Sequence, residues 1–183
     1  MPLYFIRHGE SQANSEGFLA GQLDLPITPK GIMQAKVAGS ELKKSKLSID
    51  VIVSSPLSRA YDTAVCLARE IGYPISQIIL DPRLMERHMG ILQGQPVESA
   101  KILDTLDSAG QEKLKMETEA ALMQRAGEAL RYLESLKGAV LAVSHNGLGR
   151  RMIAFKYGVT SSATQKLPNA KVVDLTDKEL LLN

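Results

Sequence analysis

Apolar and polar positions along this chain fall into two alternating kinds of block. Leu3–Ile6 is a short, unbroken apolar run that stops at Arg7-His8-Gly9, which predicts a buried strand ending in a loop. Thr28-Pro29 then opens a helix, with Thr28 as N-cap and Pro29 in the first turn. Ile32, Ala35, Val37, Ala38 and Leu42 form its inward stripe, and Lys43, Lys44 and Lys46 suit the negative end of its dipole. Asp50–Val53 reads as a second strand ending at Ser54-Ser55-Pro56, followed by a helix through Ala60, Ala64, Leu67 and Ile71 that stops at Gly72 and Pro74. Ile78–Leu80 predicts a third, short strand, and Asp81–Gly110 is the least regular stretch. Leu114, Ala121, Leu122, Ala126, Leu130 and Leu133 predict a long helix from Gln111 to Leu136, with an interruption around Glu117–Glu119. Ala139–Val143 is a further buried strand, and a short helix follows it to Tyr157-Gly158. Lys171–Leu175 predicts a last strand, either paired with Leu180–Leu182 or leading into a tail. Strands alternating with helices imply an α/β fold: a three-layer sandwich with a mostly parallel central sheet and helices on both faces.

Composition narrows the class. A chain of 183 residues predicts one domain over residues 1–183. Surface scaling predicts about 8,700 Å² exposed after folding, enough burial for a core without staples. With 44% hydrophobic and 23% charged residues, the chain is neither disordered nor membranous. Its net charge of +2 is far from the density a nucleic-acid binder needs. The single cysteine, Cys66, rules out an intrachain disulfide framework and a cysteine zinc site, and its place in a helical stripe predicts a core position. No basic segment leads into an apolar one at the start, and no apolar run approaches the roughly 18 residues of a membrane span. The expectation is a soluble, cytoplasmic protein without membrane or nucleic-acid partners, as monomer or homodimer.

In a sheet of this kind, ligands bind beyond the carboxyl ends of the strands. Three strand ends carry unusual residues: Arg7-His8-Gly9, Ser54 through Arg59, and His145-Asn146-Gly147. Arginine presents a fork of donors suited to phosphate or carboxylate. Gly9 and Gly147 let backbone N–H groups approach an anion, and helices beginning after Pro56 and near Gly147 add positive ends. This collection predicts an anion site.

The order of these motifs resembles a known family. Arg7-His8-Gly9-Glu10-Ser11, then Asn14, Gly21, Asp24, Leu25-Pro26-Ile27-Thr28 and Gly31 resemble the opening signature of the histidine phosphatase superfamily, the phosphoglycerate mutase-like family. Ser55-Pro56-Leu57-Ser58-Arg59-Ala60 with Thr63-Ala64 resembles its second arginine element. Leu84 to Gly90 resembles the acid-bearing loop, and Val143 to Gly147 the second histidine element. The resemblance implies a phosphomonoester hydrolase with that family's fold, acting on a small phosphorylated substrate without metal or organic cofactor. It implies His8 as nucleophile, forming a phosphohistidine, and kept neutral by Arg7 and Arg59. It implies Arg7, Arg59 and His145 as ligands of the phosphoryl oxygens, and Asn14, Asn146 and the backbone near Gly9 as secondary contacts. Glu86 would protonate the leaving oxygen and then deprotonate the attacking water. The first task calls for a raised carboxyl pKa, supplied by burial and a nearby phosphate dianion.

Other residues stay open. Glu98 or another carboxylate is the alternative to Glu86. Arg87 either touches substrate or pairs with a neighbouring carboxylate, and His88 reads as a loop or rim residue. Arg150-Arg151 reads as a solvated helix face. His8, His145 and Glu86 also have the composition of a two-histidine, one-carboxylate metal site, which the two arginines oppose. A non-catalytic phosphate-binding module is another alternative, but binding alone needs neither nucleophile nor proton donor. Within the family, the alternative is a phosphoglycerate mutase. Mutases carry a longer segment between acid and second histidine, with basic residues that clamp a second acidic group. Here the corresponding stretch, Gly90 to Met123, contains Lys101, Lys113 and Lys115 without paired arginines, Met89 replaces the mutase tyrosine, and Ala13 replaces a usual tryptophan. A short lid with few cations implies hydrolysis.

Overall fold

The computed structural model describes residues 1–182. Five strands, β1 (Leu3–Arg7), β2 (Val51–Ser54), β3 (Ile79–Leu80), β4 (Val140–Ser144) and β5 (Val172–Asp174), form one sheet in the order β3-β2-β4-β1-β5. The first four run parallel, and β5 lies antiparallel to β1 at the edge. The helices are α1 (Gln12–Glu16), α2 (Pro29–Lys44), α3 (Ser58–Ile71), α4 (Ser108–Lys113), α5 (Glu119–Ser135), α6 (Asn146–Tyr157) and α7 (Lys178–Leu181). None of them is long and apolar enough to cross a membrane.

The unbroken apolar runs serve two cores at once, because successive strand side chains point to opposite faces. Leu3, Phe5, Val53, Val140 and Ala142 face Leu122, Ala126, Leu130 and Leu133 of α5 and Leu148, Met152 and Ile153 of α6. Tyr4, Ile6, Ile52, Leu141 and Val143 face Ala38 and Leu42 of α2 and Ala60, Ala64, Leu67 and Ala68 of α3. That is the three-layer sandwich the sequence pattern implies. Its accessible surface, 8878 Å², is close to the scaling value.

Several elements differ from the sequence expectations. The interruption near Glu117–Glu119 is a full break, and residues 114–118 turn away from the helix axis. Lys115 adopts φ +55°, the Leu114 carbonyl accepts from Ile91 N at 3.0 Å, and Glu117 N donates to the His88 carbonyl at 2.9 Å. Tertiary pairing with the 88–91 turn therefore replaces helical hydrogen bonds, and Thr118 caps a new helix by accepting from Ala121 N. Residues 180–182 do not form a strand beside β5: α7 ends at Leu181, and only an isolated bridge joins Leu182 to Thr164. The short α1 was not foreseen. Cys66 is only half-buried and belongs to neither core, because it sits on the edge of the α3 stripe.

Strand order is what builds the site. β2, β4 and β1 are neighbours, so their carboxyl ends at Ser54, Ser144 and Arg7 lie side by side. The pairing runs on into the loops, where His8 N donates to the Ser144 carbonyl and Ser55 N to the Val143 carbonyl, both at 2.9 Å.

Candidate active site

His8 leaves β1 almost fully buried, at 4% exposure. Its Nδ1 lies 2.7 Å from the Gly9 carbonyl oxygen. A carbonyl only accepts, so Nδ1 carries the proton and Nε2 keeps its lone pair. Burial, then the charges of Arg59 and Arg7, push the His8 pKa down to about 3. The ring is therefore neutral at neutral pH, with a nucleophilic nitrogen. Gly9 has to be glycine, since a Cβ there would run into the Gly31 backbone at the start of α2. Gly9 N donates to Thr63 Oγ1 at 3.0 Å, and the Thr63 hydroxyl donates to the Arg59 carbonyl at 2.7 Å. This chain of bonds ties the histidine loop to the first turns of α3.

Arg59 is 1% exposed. Its two terminal nitrogens donate to the Leu23 and Gly21 carbonyls at 2.8 and 2.7 Å. Asp24 locks the same helix start, accepting from the Ser58 N–H at 2.7 Å and the Ser58 hydroxyl at 2.8 Å. Arg7 donates to the Leu167 carbonyl at 3.1 Å. Burial lowers both arginine pKa values, and the Glu86 carboxylate opposes it.

His145 is fully buried, with its ring centroid 5.1 Å from that of His8 and the planes tilted by 59°. Its Nε2 lies 2.9 Å from Ser55 Oγ. Burial foremost, then Arg59, His8 and Arg7, holds it well below the usual histidine range, so it too is neutral. Two buried nitrogens, Arg7 Nε and His145 Nδ1, have no hydrogen-bond partner among the described residues. Buried polar atoms without partners cost about 1–3 kcal/mol each, and the Arg7 Nε–H is a donor that an acceptor oxygen would satisfy.

Glu86 is held by three backbone N–H groups: Arg87 N at 2.8 Å, Gly147 N at 2.9 Å and Leu148 N at 3.2 Å. The latter two open α6, whose positive end favours a carboxylate. Gly147 leaves the room for it, since a Cβ there would come within 3.0 Å of the Glu86 Cδ and closer still to Oε1.

A cavity of about 250 Å³ opens over these groups, and its lining combines Arg7, His8, Arg59 and Glu86 with Phe18, Leu19, Met89, Val97 and Leu103. Asn14 and Asn146 lie on its wall, and His145 does not. Asn14 Oδ1 accepts from Ser11 N and Asn169 Nδ2, and Asn146 Oδ1 accepts from Leu167 N. Arg87 also reaches the cavity, but its guanidinium is engaged by the Glu117 carbonyl, Gln111 and Glu119. The pairing with a neighbouring carboxylate is therefore present, and the side chain also stands on the cavity wall. His88 is not on the wall, and neither are Lys101, Lys113 and Lys115, which are exposed. Glu98 is exposed as well and away from the cavity. Among the described residues no cluster of three His, Cys, Asp or Glu side chains is placed to hold a metal ion.

Arg150 and Arg151 correct the sequence reading. They are not a solvated face: Arg151 pairs bidentately with Glu119 at 2.8–2.9 Å and lines the cavity, and Arg150 donates to Thr164 Oγ1 at 3.0 Å. Arg125 was missed altogether. It donates to the Arg83 and Met85 carbonyls at 2.8 and 2.7 Å and to the Glu86 carbonyl at 3.3 Å, while pairing with Glu117 at 2.7 Å. It shapes the acid-bearing loop from 39 or more positions away, and in sequence it is one of five charges on α5, with nothing local to set it apart from Glu119, Glu128, Arg131 and Glu134.

The histidine phosphatase superfamily (branch 1) family model matches residues 3–179. A protein of Hydrogenobacter thermophilus, provisionally named phosphoserine phosphatase 2, is 29% identical over 165 residues, covering 86% of this chain and 79% of its own length. A 2,3-bisphosphoglycerate-dependent phosphoglycerate mutase of Borrelia garinii is 44% identical over 92 residues, 50% of this chain but only 37% of the mutase. Among solved structures, mycobacterial glucosyl-3-phosphoglycerate phosphatase in complex with VO3 superposes with a TM-score of 0.78 at 27% identity, covering 94% of this chain and 91% of its own. The alpha-ribazole phosphatase of Shigella flexneri gives a TM-score of 0.77 at 25% identity, covering 94% and 88%.

Proposed function

The chain belongs to the histidine phosphatase superfamily and is a phosphoric monoester hydrolase for small phosphorylated metabolites; we propose that it works through a phosphohistidine on His8. One observation carries this reading. A neutral histidine with a free Nε2 lies in the field of buried Arg59 and half-buried Arg7, and Arg7 Nε and His145 Nδ1 have no hydrogen-bond partner among the described residues. Arg7, Arg59 and His145 bind the phosphoryl oxygens, with Asn14 and Asn146 at the margin. His8 Nε2 attacks phosphorus, the bond to the leaving oxygen breaks, and Glu86 delivers a proton to that oxygen. Water then attacks the phosphohistidine, Glu86 takes its proton, and the phosphorus–nitrogen bond breaks to release phosphate. The arginines are already ordered before charge develops, so little reorganisation opposes the transfer.

Hydrolysis rather than group return to a second acceptor is supported by the lid. Residues 97–105 form a 3₁₀ segment without a buried residue, and its lysine stays off the cavity wall, so water reaches the phosphohistidine. Rapid acid quench and alkaline quench of the enzyme with a ³²P-labelled monoester test the reading. Wild type should trap an acid-labile, alkali-stable phosphoenzyme, His8→Ala should trap none, and Glu86→Gln should slow turnover. Wild-type rates in His8→Ala would overturn it.

A further inference from the structure

His145 is neutral, so one of its ring nitrogens carries a proton and the other a lone pair. Only the nitrogen with the proton can donate to a phosphoryl oxygen. The two nitrogens have different surroundings. Nε2 lies 2.9 Å from Ser55 Oγ, whereas Nδ1 is buried with no hydrogen-bond partner among the described residues. Nε2 is therefore taken, and the contact of this ring with a phosphoryl oxygen falls to Nδ1. Whether Nδ1 has a proton to offer depends on which way the bond between Nε2 and Ser55 runs.

Strand register brings Ser55 to this place. β2 runs beside β4 with Ser54 opposite Val143, and Ser55 N donates to the Val143 carbonyl at 2.9 Å, next to the end of β4 where His145 follows Ser144. Pro56 has no N–H, so the next backbone donor is Leu57 N, which reaches back to Ser55 Oγ at 3.3 Å. Ser55 and His145 are both fully buried, so bulk water completes neither group. The hydroxyl has one proton to give, and among the described residues His145 Nε2 is the acceptor within its hydrogen-bond reach. Ser54 is equally buried, but its hydroxyl is already satisfied, since it donates to the Ser55 carbonyl at 2.9 Å.

The two tautomers leave different debts. With the proton on Nε2, Ser55 Oγ accepts twice, its own O–H is buried without an acceptor, and Nδ1 turns a lone pair toward an anion. With Ser55 donating to Nε2, the hydroxyl is satisfied, the proton sits on Nδ1, and a single donor remains for an arriving phosphoryl oxygen to complete. A buried polar group without a partner is costly, so the second arrangement is favoured in the free protein and further favoured by phosphate. We propose that Ser55 is a positioning residue: its hydroxyl donates to His145 Nε2, fixes the ring as the Nδ1–H tautomer and so supplies the N–H that meets the phosphoryl group. The role rests on the hydrolase reading above and names the atom through which His145 serves it. The same logic gives His8 the complementary part. There the Gly9 carbonyl holds the Nδ1 proton and leaves a lone pair on Nε2, so one histidine offers a lone pair to phosphorus and the other a proton to oxygen.

The tautomer is read directly by ¹H–¹⁵N NMR of the full chain with ¹⁵N-labelled histidine at neutral pH, with the His145 ring assigned from its loss in His145→Gln. Unliganded wild type should show a pyridine-type Nε2 and a pyrrole-type Nδ1, and inorganic phosphate should shift Nδ1 without exchanging the two types. Ser55→Ala should make the Nε2–H form, which free histidine favours in water, the major one. A competent fraction of about one fifth then lowers both kcat/KM for an aryl phosphate and affinity for inorganic phosphate about fivefold. Ser54→Ala removes an equally buried hydroxyl and should keep the wild-type tautomer, which separates the loss of the donor from a loosened strand end. A pyrrole-type Nε2 in wild type, an unchanged tautomer in Ser55→Ala, or equal tautomer mixing in both serine variants would overturn the role of Ser55. The wild-type spectrum needs no variant, so it decides the tautomer even where Ser55→Ala does not fold. The wrong tautomer in a wild type that still traps an acid-labile phosphoenzyme overturns the role of Ser55 and leaves the hydrolase reading standing. A wild type that neither traps phosphate on His8 nor releases it overturns that reading, and the role of Ser55 in transfer with it.

Discussion

Replacing Gly147 with alanine isolates the proposed acid without touching it directly. The new Cβ would lie 3.0 Å from the Glu86 Cδ, 3.2 Å from Oε2 and closer still to Oε1. Contacts this short force the carboxylate to move away, and the 2.9 Å bond from Gly147 N to Oε2 goes with it. A hydrogen bond to a charged group contributes about 1.5–3 kcal/mol, which corresponds to roughly 10- to 150-fold in rate where the orientation of Glu86 limits it. The fold should survive, since Gly147 lies in α6 and alanine is the better helix former by about 1 kcal/mol. The assay compares an alkyl phosphate, whose alkoxide must be protonated to leave, with 4-nitrophenyl phosphate, whose phenolate needs no proton. The alkyl ester should lose tenfold or more in kcat/KM, which reports transfer to His8, while the aryl ester loses little, and the thermal midpoint should fall by only a few degrees because the helix gain offsets part of the lost hydrogen bond. Equal losses on both esters, or none on the alkyl ester, would refute Glu86 as the proton donor.

Stability should depend on pH through the buried histidines. The folded His8 pKa is about 3 against 6.5 for an ordinary histidine, so between these values the unfolded chain binds a proton that the folded chain refuses. Stability is therefore complete above about pH 6.5 and falls as pH drops toward 3, by about 5 kcal/mol from His8 alone, with His145 adding in the same direction. Urea midpoints between pH 4 and 8 measure this, and an unchanged slope in His8→Ala would contradict it. Arg125→Met should lower stability by about 3 kcal/mol, because Glu117 and three loop carbonyls lose their common partner. It should also lower kcat by loosening the loop that carries Glu86, and thermal melts with full activity at 20 °C would show that Arg125 holds the fold alone.

The residues of the candidate site were legible in the sequence because they sit at strand ends, and strand ends announce themselves. An apolar run that stops at Arg7-His8-Gly9 or at Ser144-His145 marks both the element and the place where its loop leaves the core. The helix stripes of α3 and α5, and that of α2 apart from Val37, which is exposed, were legible for the same reason, since periodicity records which side of an element is dry. The 111–136 helix was overextended because nothing local says that the Leu114 carbonyl will pair with Ile91 N, more than 20 residues earlier.

Hydrophobic order along the chain, then, sufficed for the α/β sandwich and for the residues that lie directly at its carboxyl edge. It could not decide which neighbours those residues would have. The order β2-β4-β1 brings His8 and His145 to a ring separation of 5.1 Å. Packing of α5 against α6 and the acid-bearing loop turns Arg151 from a surface charge into a cavity wall and makes Arg125 the brace of Glu86. The physical reason is range: burial patterns are set by residues three or four apart, whereas the partner of a charge is set by whichever distant segment the closed chain brings beside it.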